Sequence, residues 1–148
     1  TKDLIRVINF ADIVQFPLNI FDQRFDKIKL IKKLKIKNIK IHLRSIFLQG
    51  LIFLSYNKII KLFKVDQKKI KIFFEKYKYK EDRIFHCLNF IKTRNFYSQM
   101  IIGFNDLNEL KQIIKINKKK TIKTNYNKFK INNKKIILPY LWKKKSMI

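Results

Sequence analysis

Positive charge spread along the whole chain constrains this sequence more than any other feature. Over 148 residues, 36 Lys and Arg stand against 10 Asp and Glu, a formal charge of +26. Self-repulsion of that size destabilises a compact state that lacks a counter-charge, so a polyanionic partner is close to obligatory. A membrane-surface binder concentrates its lysines on one amphipathic helix or tail. Here they run through Lys32-Lys33, Lys68-Lys69, Lys118-Lys119-Lys120, Lys134-Lys135 and Lys143-Lys144-Lys145, a distribution that suits wrapping by RNA.

Disorder is not the alternative, because 47% of the residues are hydrophobic, enough for the core of one domain or two small ones. An A+T-rich gene accounts for part of the Lys, Ile, Asn and Phe excess and for the scarcity of Gly and Pro, at 2 each. The acidic shortfall exceeds what that bias explains and implies selection for positive charge. The bias itself suggests an organellar genome, mitochondrial as first choice and plastid as second. The first residues show neither a secretory apolar core nor an Arg/Ser-rich transit pattern, so a chain working in an organelle is expected to be made there.

Among the basic residues, Arg6, Arg24, Arg44, Arg83 and Arg94 carry most weight, since a guanidinium reads phosphates and base edges with two hydrogen bonds at once. The single Cys87, with His42 and His86, excludes an internal disulfide and makes a metal cluster improbable. His86 beside Cys87 invites a nucleophile reading, but on a strand adjacent side chains point to opposite faces. No catalysis, cofactor or metal is expected. The apolar run over residues 46–54 is interrupted by Gln49 and falls well short of the roughly 20 residues of a membrane span, so no membrane insertion is expected.

Periodicity predicts a helix over residues 4–15 with Asp3 as N-cap. Residues 16–38 lose the pattern and read as a basic insertion. The i, i+3, i+4 spacing of Leu43, Ile46, Phe47, Gly50, Leu51 and Leu54 predicts a core helix. Alternation of Ile70, Ile72 and Phe74 with lysines predicts a strand over 69–74, with Phe63 and Val65 as its hairpin partner across Asp66-Gln67. Residues 83–91 suit a strand. Asp106 with Glu109 makes a capping box for a short helix through Leu107, Leu110 and Ile114, and residues 136–142 read as a terminal strand. No internal repeat is present.

Several stretches, taken together, resemble ribosomal protein number eight of the small subunit. They are Asp3 to Ala11, residues 39–65 ending in Ile59-Ile60-Lys61-Leu62-Phe63-Lys64-Val65, Lys69 to Tyr77 with its Lys-Tyr close, and Ile137-Leu138-Pro139-Tyr140-Leu141-Trp142. Arg94-Asn95-Phe96-Tyr97 is similar to the family's Arg-Arg-aliphatic-Tyr turn, without the Pro-Gly that precedes it there. Asn117-Lys118-Lys119-Lys120-Thr121 stands where the family has a Ser-Thr-Ser-x-Gly loop, with Thr124-Asn125-Tyr126 as the other register.

The resemblance implies an α/β (α+β) protein of two small domains. Residues 1–80 would be an amino-terminal α/β unit, and residues 81–148 a strand-rich unit bound to the central domain of the small-subunit rRNA. The expected RNA contacts are Arg94, Asn95, Tyr97, Asn117, Lys118, Lys119, Lys120, Thr121, Lys134 and Lys135. Expected partners are that rRNA and neighbouring ribosomal proteins, with no small-molecule substrate. Tyr97, Tyr126 and Tyr140 either stack on bases or belong to the core. Two other readings stay open: a basic accessory subunit of an organellar membrane complex, docking through residues 46–54, and an RNA-processing factor outside the ribosome.

Overall fold

Val14 and Phe16 alternate with Ile13 and Gln15, and Ile41 and Leu43 alternate with Lys40, His42 and Arg44. Each segment therefore buries one face as a strand. The computed structural model describes residue 6, residues 8–63 and residues 67–142. In it β1 (Ile13–Pro17) and β2 (Lys40–Arg44) lie parallel, joined through α1 (Ile28–Ile36). After α2 (Tyr56–Leu62), α3 (Lys68–Lys76) and α4 (Lys80–Lys92), the short β3 (Gln99–Met100) pairs parallel on the other side of β2. The sheet order is β1-β2-β3. α5 (Leu107–Asn117) follows, and the chain closes through α6 (Lys134–Ile137) and a 3-10 turn at Pro139–Leu141. The α/β class expected from the sequence is what the chain adopts.

The element assignments differ from the sequence reading in several places. Residues 13–15, placed in a first helix, are the start of β1; Asp3 and the opening of that helix lie outside the described residues. Residues 16–38, read as a basic insertion, contribute Phe16, Leu18, Ile20, Phe21, Leu30, Ile31 and Leu34 to the buried core. The helix expected across Leu43–Leu54 is instead the end of β2, a turn and a 3-10 turn (Leu51–Phe53). Ser45, Leu48, Gln49 and Gly50 all have positive φ there, which no right-handed helix can accommodate. Leu43, Ile46, Phe47 and Leu51 are nevertheless buried, as their spacing implies.

Three expected strands are helical. In α3 the buried side chains are Ile70, Phe73 and Phe74, continued by Tyr77 at its C-cap, the i, i+3, i+4, i+7 set of a helix, while Ile72 is 40% exposed. Phe63, expected in the hairpin partner, is the C-cap of α2, which the Ser55 side chain starts by accepting from the Lys58 amide. Val65 and the turn at Asp66 lie outside the described residues. Residues 83–91 lie in α4, with Ile84, Cys87, Leu88 and Ile91 buried and Glu81 and Asp82 in the favourable first turn. Residues 136–142 form α6 and the closing turn rather than a strand. The cap at Asp106 is present: its Oδ1 accepts from the Glu109 amide at 2.8 Å. The face of α5 is rotated, with Ile113 and Ile116 buried and Leu107 and Ile114 exposed.

One buried cluster runs from Ile8 to Trp142. Phe73 sits at its middle, with ring centroids 5.0 Å from Phe21, 5.1 Å from Tyr77 and 5.3 Å from Phe129. It thus ties the loop after β1 to α3 and to the carboxy-terminal segment. Edge-on aromatic pairs of this kind each add about 0.5–1.5 kcal/mol beyond burial. A division at 80/81 falls within the first turn of α4 and lies between β2 and its partner β3.

Candidate functional site

Parallel strands end on the same side of their sheet, and ligands of α/β sheets gather outside those carboxyl ends. Here the three loops leaving β1, β2 and β3 are knitted together at that end. The Leu18 amide donates to the Arg44 carbonyl at 3.1 Å, the Ile101 amide to Leu43 at 2.8 Å, and the Asn19 side-chain amide to the Ser45 carbonyl at 3.0 Å. Asn19 is itself buried, its Oδ1 accepting from the amides of Phe21 and Asp22.

The loop after β2 holds an unusual backbone. Ser45 (φ 60), Leu48 (φ 46) and Gln49 (φ 52) are non-glycine residues in the left-handed region, followed by Gly50 at φ 77. Such conformations cost about 1–3 kcal/mol each and collect at functional sites, where the surrounding structure holds them. Left-handed turns can also turn backbone N–H groups toward an anion.

Between this turn and the residues after β3 lies a cleft of about 410 Å³, its rim including Arg44, Ser45, Phe47, Phe53, Phe104 and Asn105. The Arg44 guanidinium donates to the Ser45 hydroxyl at 3.3 Å and is otherwise directed to solvent. Phe47 and Phe53 pack edge to face at 5.2 Å, and Phe104 is 51% exposed. Buried Glu109 closes the floor, its Oε2 accepting from the Asn105 amide at 2.8 Å and the Asn105 side chain at 3.0 Å. Since the Asp106 and Glu109 carboxylates stand at the start of α5, anion recognition in the cleft falls to Arg44, Ser45 and the turn. On the uncovered face of the sheet, Gln15, His42 and Gln99 stand side by side in register, one step below Arg44.

Set against protein-family models, curated proteins and solved structures, the chain matches none.

The residues expected from the sequence lie elsewhere. Arg94 is tied to Asp26 through Nε at 2.8 Å and lies 4.4 Å over the Phe90 ring. Asn95 is exposed, with its carbonyl accepting from Lys35, and Tyr97 is half-buried against the core, where desolvation raises its pKa. Lys118, Lys119, Lys120 and Thr121 are exposed just beyond α5. Lys92, at the end of α4, donates to the carbonyls of Asn117 and Lys119 at 2.7 and 3.0 Å. Residues 117–121 and Arg94 thus share one end of the molecule, where lysines also complement two helix C-termini. Lys134 and Lys135 are exposed on α6, apart from that group. Of the tyrosines, Tyr126 is core and Tyr140 is exposed.

His86 and Cys87, on α4 rather than a strand, are both committed to the interior. The His86 Nδ1 lies 2.9 Å from the Tyr126 hydroxyl, its ring stacks on Tyr77 at 3.8 Å, and burial pulls its pKa down to about 4. Burial pushes the Cys87 thiol far above its usual range, so no thiolate is available. Among the described residues no three His, Cys, Asp or Glu gather as a metal set, and no helix is long and apolar enough to cross a membrane. The cleft went unseen in the sequence because its two walls are about 50 residues apart. The one local signal was Gln49-Gly50 interrupting an apolar run, which is turn chemistry.

Proposed function

We propose that the chain binds a nucleotide-class small molecule in the cleft at the carboxyl ends of β2 and β3. The observation that carries this is the coincidence of that cleft with the left-handed turn at residues 45–50. Strained backbone and ligand sites occur together for the same reason: packing must hold the geometry before the ligand arrives. Arg44 and the Ser45 hydroxyl supply a charged and a neutral donor for a phosphate. Phe47, Phe53 and Phe104 supply flat apolar surface for a base. The cleft has the size of a ligand site, and its lining sets Arg44, Ser45, Gln49, Asn105 and Glu109 beside the aromatic rings.

Isothermal titration of the full chain with a set of mono- and dinucleotides tests it. Saturable binding that Arg44→Gln weakens by about tenfold is expected, the worth of one charge-assisted hydrogen bond. Lys111→Gln, the same charge change on the exposed face of α5, should leave it unaltered. Equal losses in both variants, or no binding at all, would sink the proposal.

A second reading is favoured by the charge of +26. In it the chain is a structural RNA-binding protein of the small ribosomal subunit, organelle-encoded, working as two units divided near residue 80 and catalysing nothing. Contacts from exposed lysines 118–120, 134 and 135 would neutralise phosphates, and affinity would fall steeply with salt. Stoichiometric co-sedimentation with small subunits is the test, and absence from that fraction would refute it.

A further inference from the structure

The second basic region of the surface is built by segments far apart in sequence. Residues 24–27, which follow β1, face residues 130–133 near the carboxy terminus. The two are clasped by the Ile131 amide donating to the Phe21 carbonyl at 2.8 Å and the Gln23 side chain donating to the Tyr126 carbonyl at 3.1 Å. Between them is a cleft of about 320 Å³ lined by Arg24, Phe25, Lys27, Lys130 and Asn132. Asn132 also lines an adjoining cleft of about 260 Å³, where Lys69 and Asn133 stand. Among the described residues no carboxylate lines either one.

Arg24 distinguishes this place from a merely solvated lysine surface. Its Nε and Nη2 donate to the two oxygens of Asp22 at 2.8 and 2.7 Å, and the Asp22 side chain is fully buried. The guanidinium lies 5.8 Å over the Phe25 ring, which is stacked on core Phe16 at 5.0 Å. A fork held on one edge by a buried carboxylate, and below by an aromatic ring, keeps its Nη1 end for a ligand with little entropy left to lose. Lys69 donates to the Lys130 carbonyl, which holds the 130–133 segment against α3. The exposed Tyr140 lies near enough to Arg24 to influence its titration.

We propose that the two clefts joined at Asn132 form one track for phosphate groups, with Arg24 and Lys130 gripping one phosphate and the Lys69 cleft taking the next. The track is separate from the Arg44 cleft and gives the RNA reading a site. Its phosphates come either from the backbone of an RNA strand or from free phosphate or pyrophosphate.

The test uses the full chain, inorganic pyrophosphate by titration calorimetry, and a fluorescent single-stranded RNA octamer by anisotropy. The main variant pairs Lys130→Gln with Asn132→Leu, both exposed positions. Arg24→Gln is secondary, because it strips a buried carboxylate of its partner and endangers the fold. The double variant should weaken pyrophosphate binding by at least tenfold, with Lys111→Gln changing it less than twofold. Competition between RNA and pyrophosphate identifies the strand backbone as the source, and its absence identifies free phosphate. Absence of pyrophosphate binding, or equal losses in the double variant and Lys111→Gln, overturns the track. Where RNA and pyrophosphate compete, RNA binding that persists undiminished in the double variant would overturn the track while leaving the RNA reading standing.

Discussion

Arg83→Leu is expected to be among the most damaging single substitutions in this chain. Only 9% of Arg83 is exposed. Its Nε donates to the Ile52 carbonyl at 2.7 Å, and its Nη1 to the carbonyls of Lys78 at 2.7 Å and Tyr77 at 3.2 Å, with the guanidinium 4.8 Å over Phe74. Desolvation lowers its pKa, opposed by Cys87, Glu81 and Asp82. Hydrogen bonds from a charged donor contribute about 1.5–3 kcal/mol each, and a stranded carbonyl costs about 1–3 kcal/mol. Leucine removes the burden of desolvating a cation, which offsets several kcal/mol of that gross loss. A net cost of about 3 kcal/mol remains, against a typical total stability of 5–15 kcal/mol.

For a chain of this size that loss lowers Tm by roughly 6–12 °C. Guanidinium unfolding followed by the fluorescence of Trp142, which is buried edge-on to Phe63, measures it directly. Because Ile52 lies in the 3-10 turn that carries Phe53 of the cleft, ligand binding should weaken in Arg83→Leu even where the protein is still folded. Arg83→Lys, which keeps the charge but loses the fork, should fall between. A loss below about 1 kcal/mol would show that water replaces the guanidinium at those carbonyls and refute the reasoning.

Three further outcomes are expected. His86 has its pKa drawn from 6.5 to about 4 by burial, with Asp82 opposing and Lys76 assisting. The unfolded chain therefore takes up a proton in that window and the folded chain does not, so stability held above pH 6.5 is lost as the pH falls toward 4. The loss should be about 2 kcal/mol once solvent access to the half-buried ring is allowed for; urea midpoints of wild type and His86→Gln measure it, and equal slopes would contradict it. Gly50→Ala should cost about 1 kcal/mol from backbone strain at φ 77, since its added carbon meets only Phe53 at an ordinary 3.8 Å, while Gly103→Ala, in open space, should be neutral or slightly stabilising. Arg94→Ala should destabilise by about 1–2 kcal/mol through lost contact with Asp26 and Phe90; thermal unfolding measures it, and an unchanged Tm would mean that the residue is free for another role.

Much of the core was legible in the sequence. Leu43, Ile46, Phe47, Leu51 and Cys87 are buried as their types and spacing imply, and Asp106 starts a helix as its distance from Glu109 implies. Conformation was less legible, because apolar residues interleaved with lysine satisfy two periods at once. Ile70, Ile72 and Phe74 read as a strand, whereas Ile70, Phe73, Phe74 and Tyr77 are what the helix buries. Choosing between those sets needs the surface against which the segment packs, which here is Phe21 and Phe129.

The charge of +26 and the need to shield it are properties of the sequence alone. Only the tertiary structure assigned the arginines their roles: Arg83 and Arg94 to internal partners, Arg24 to a carboxylate that aims it, and Arg44 to an open cleft. Charge adds up along a chain whatever its fold. A cleft exists only when segments such as residues 44–53 and 101–109 are brought together by a parallel sheet, whose pairing is non-local and leaves no local mark in the sequence.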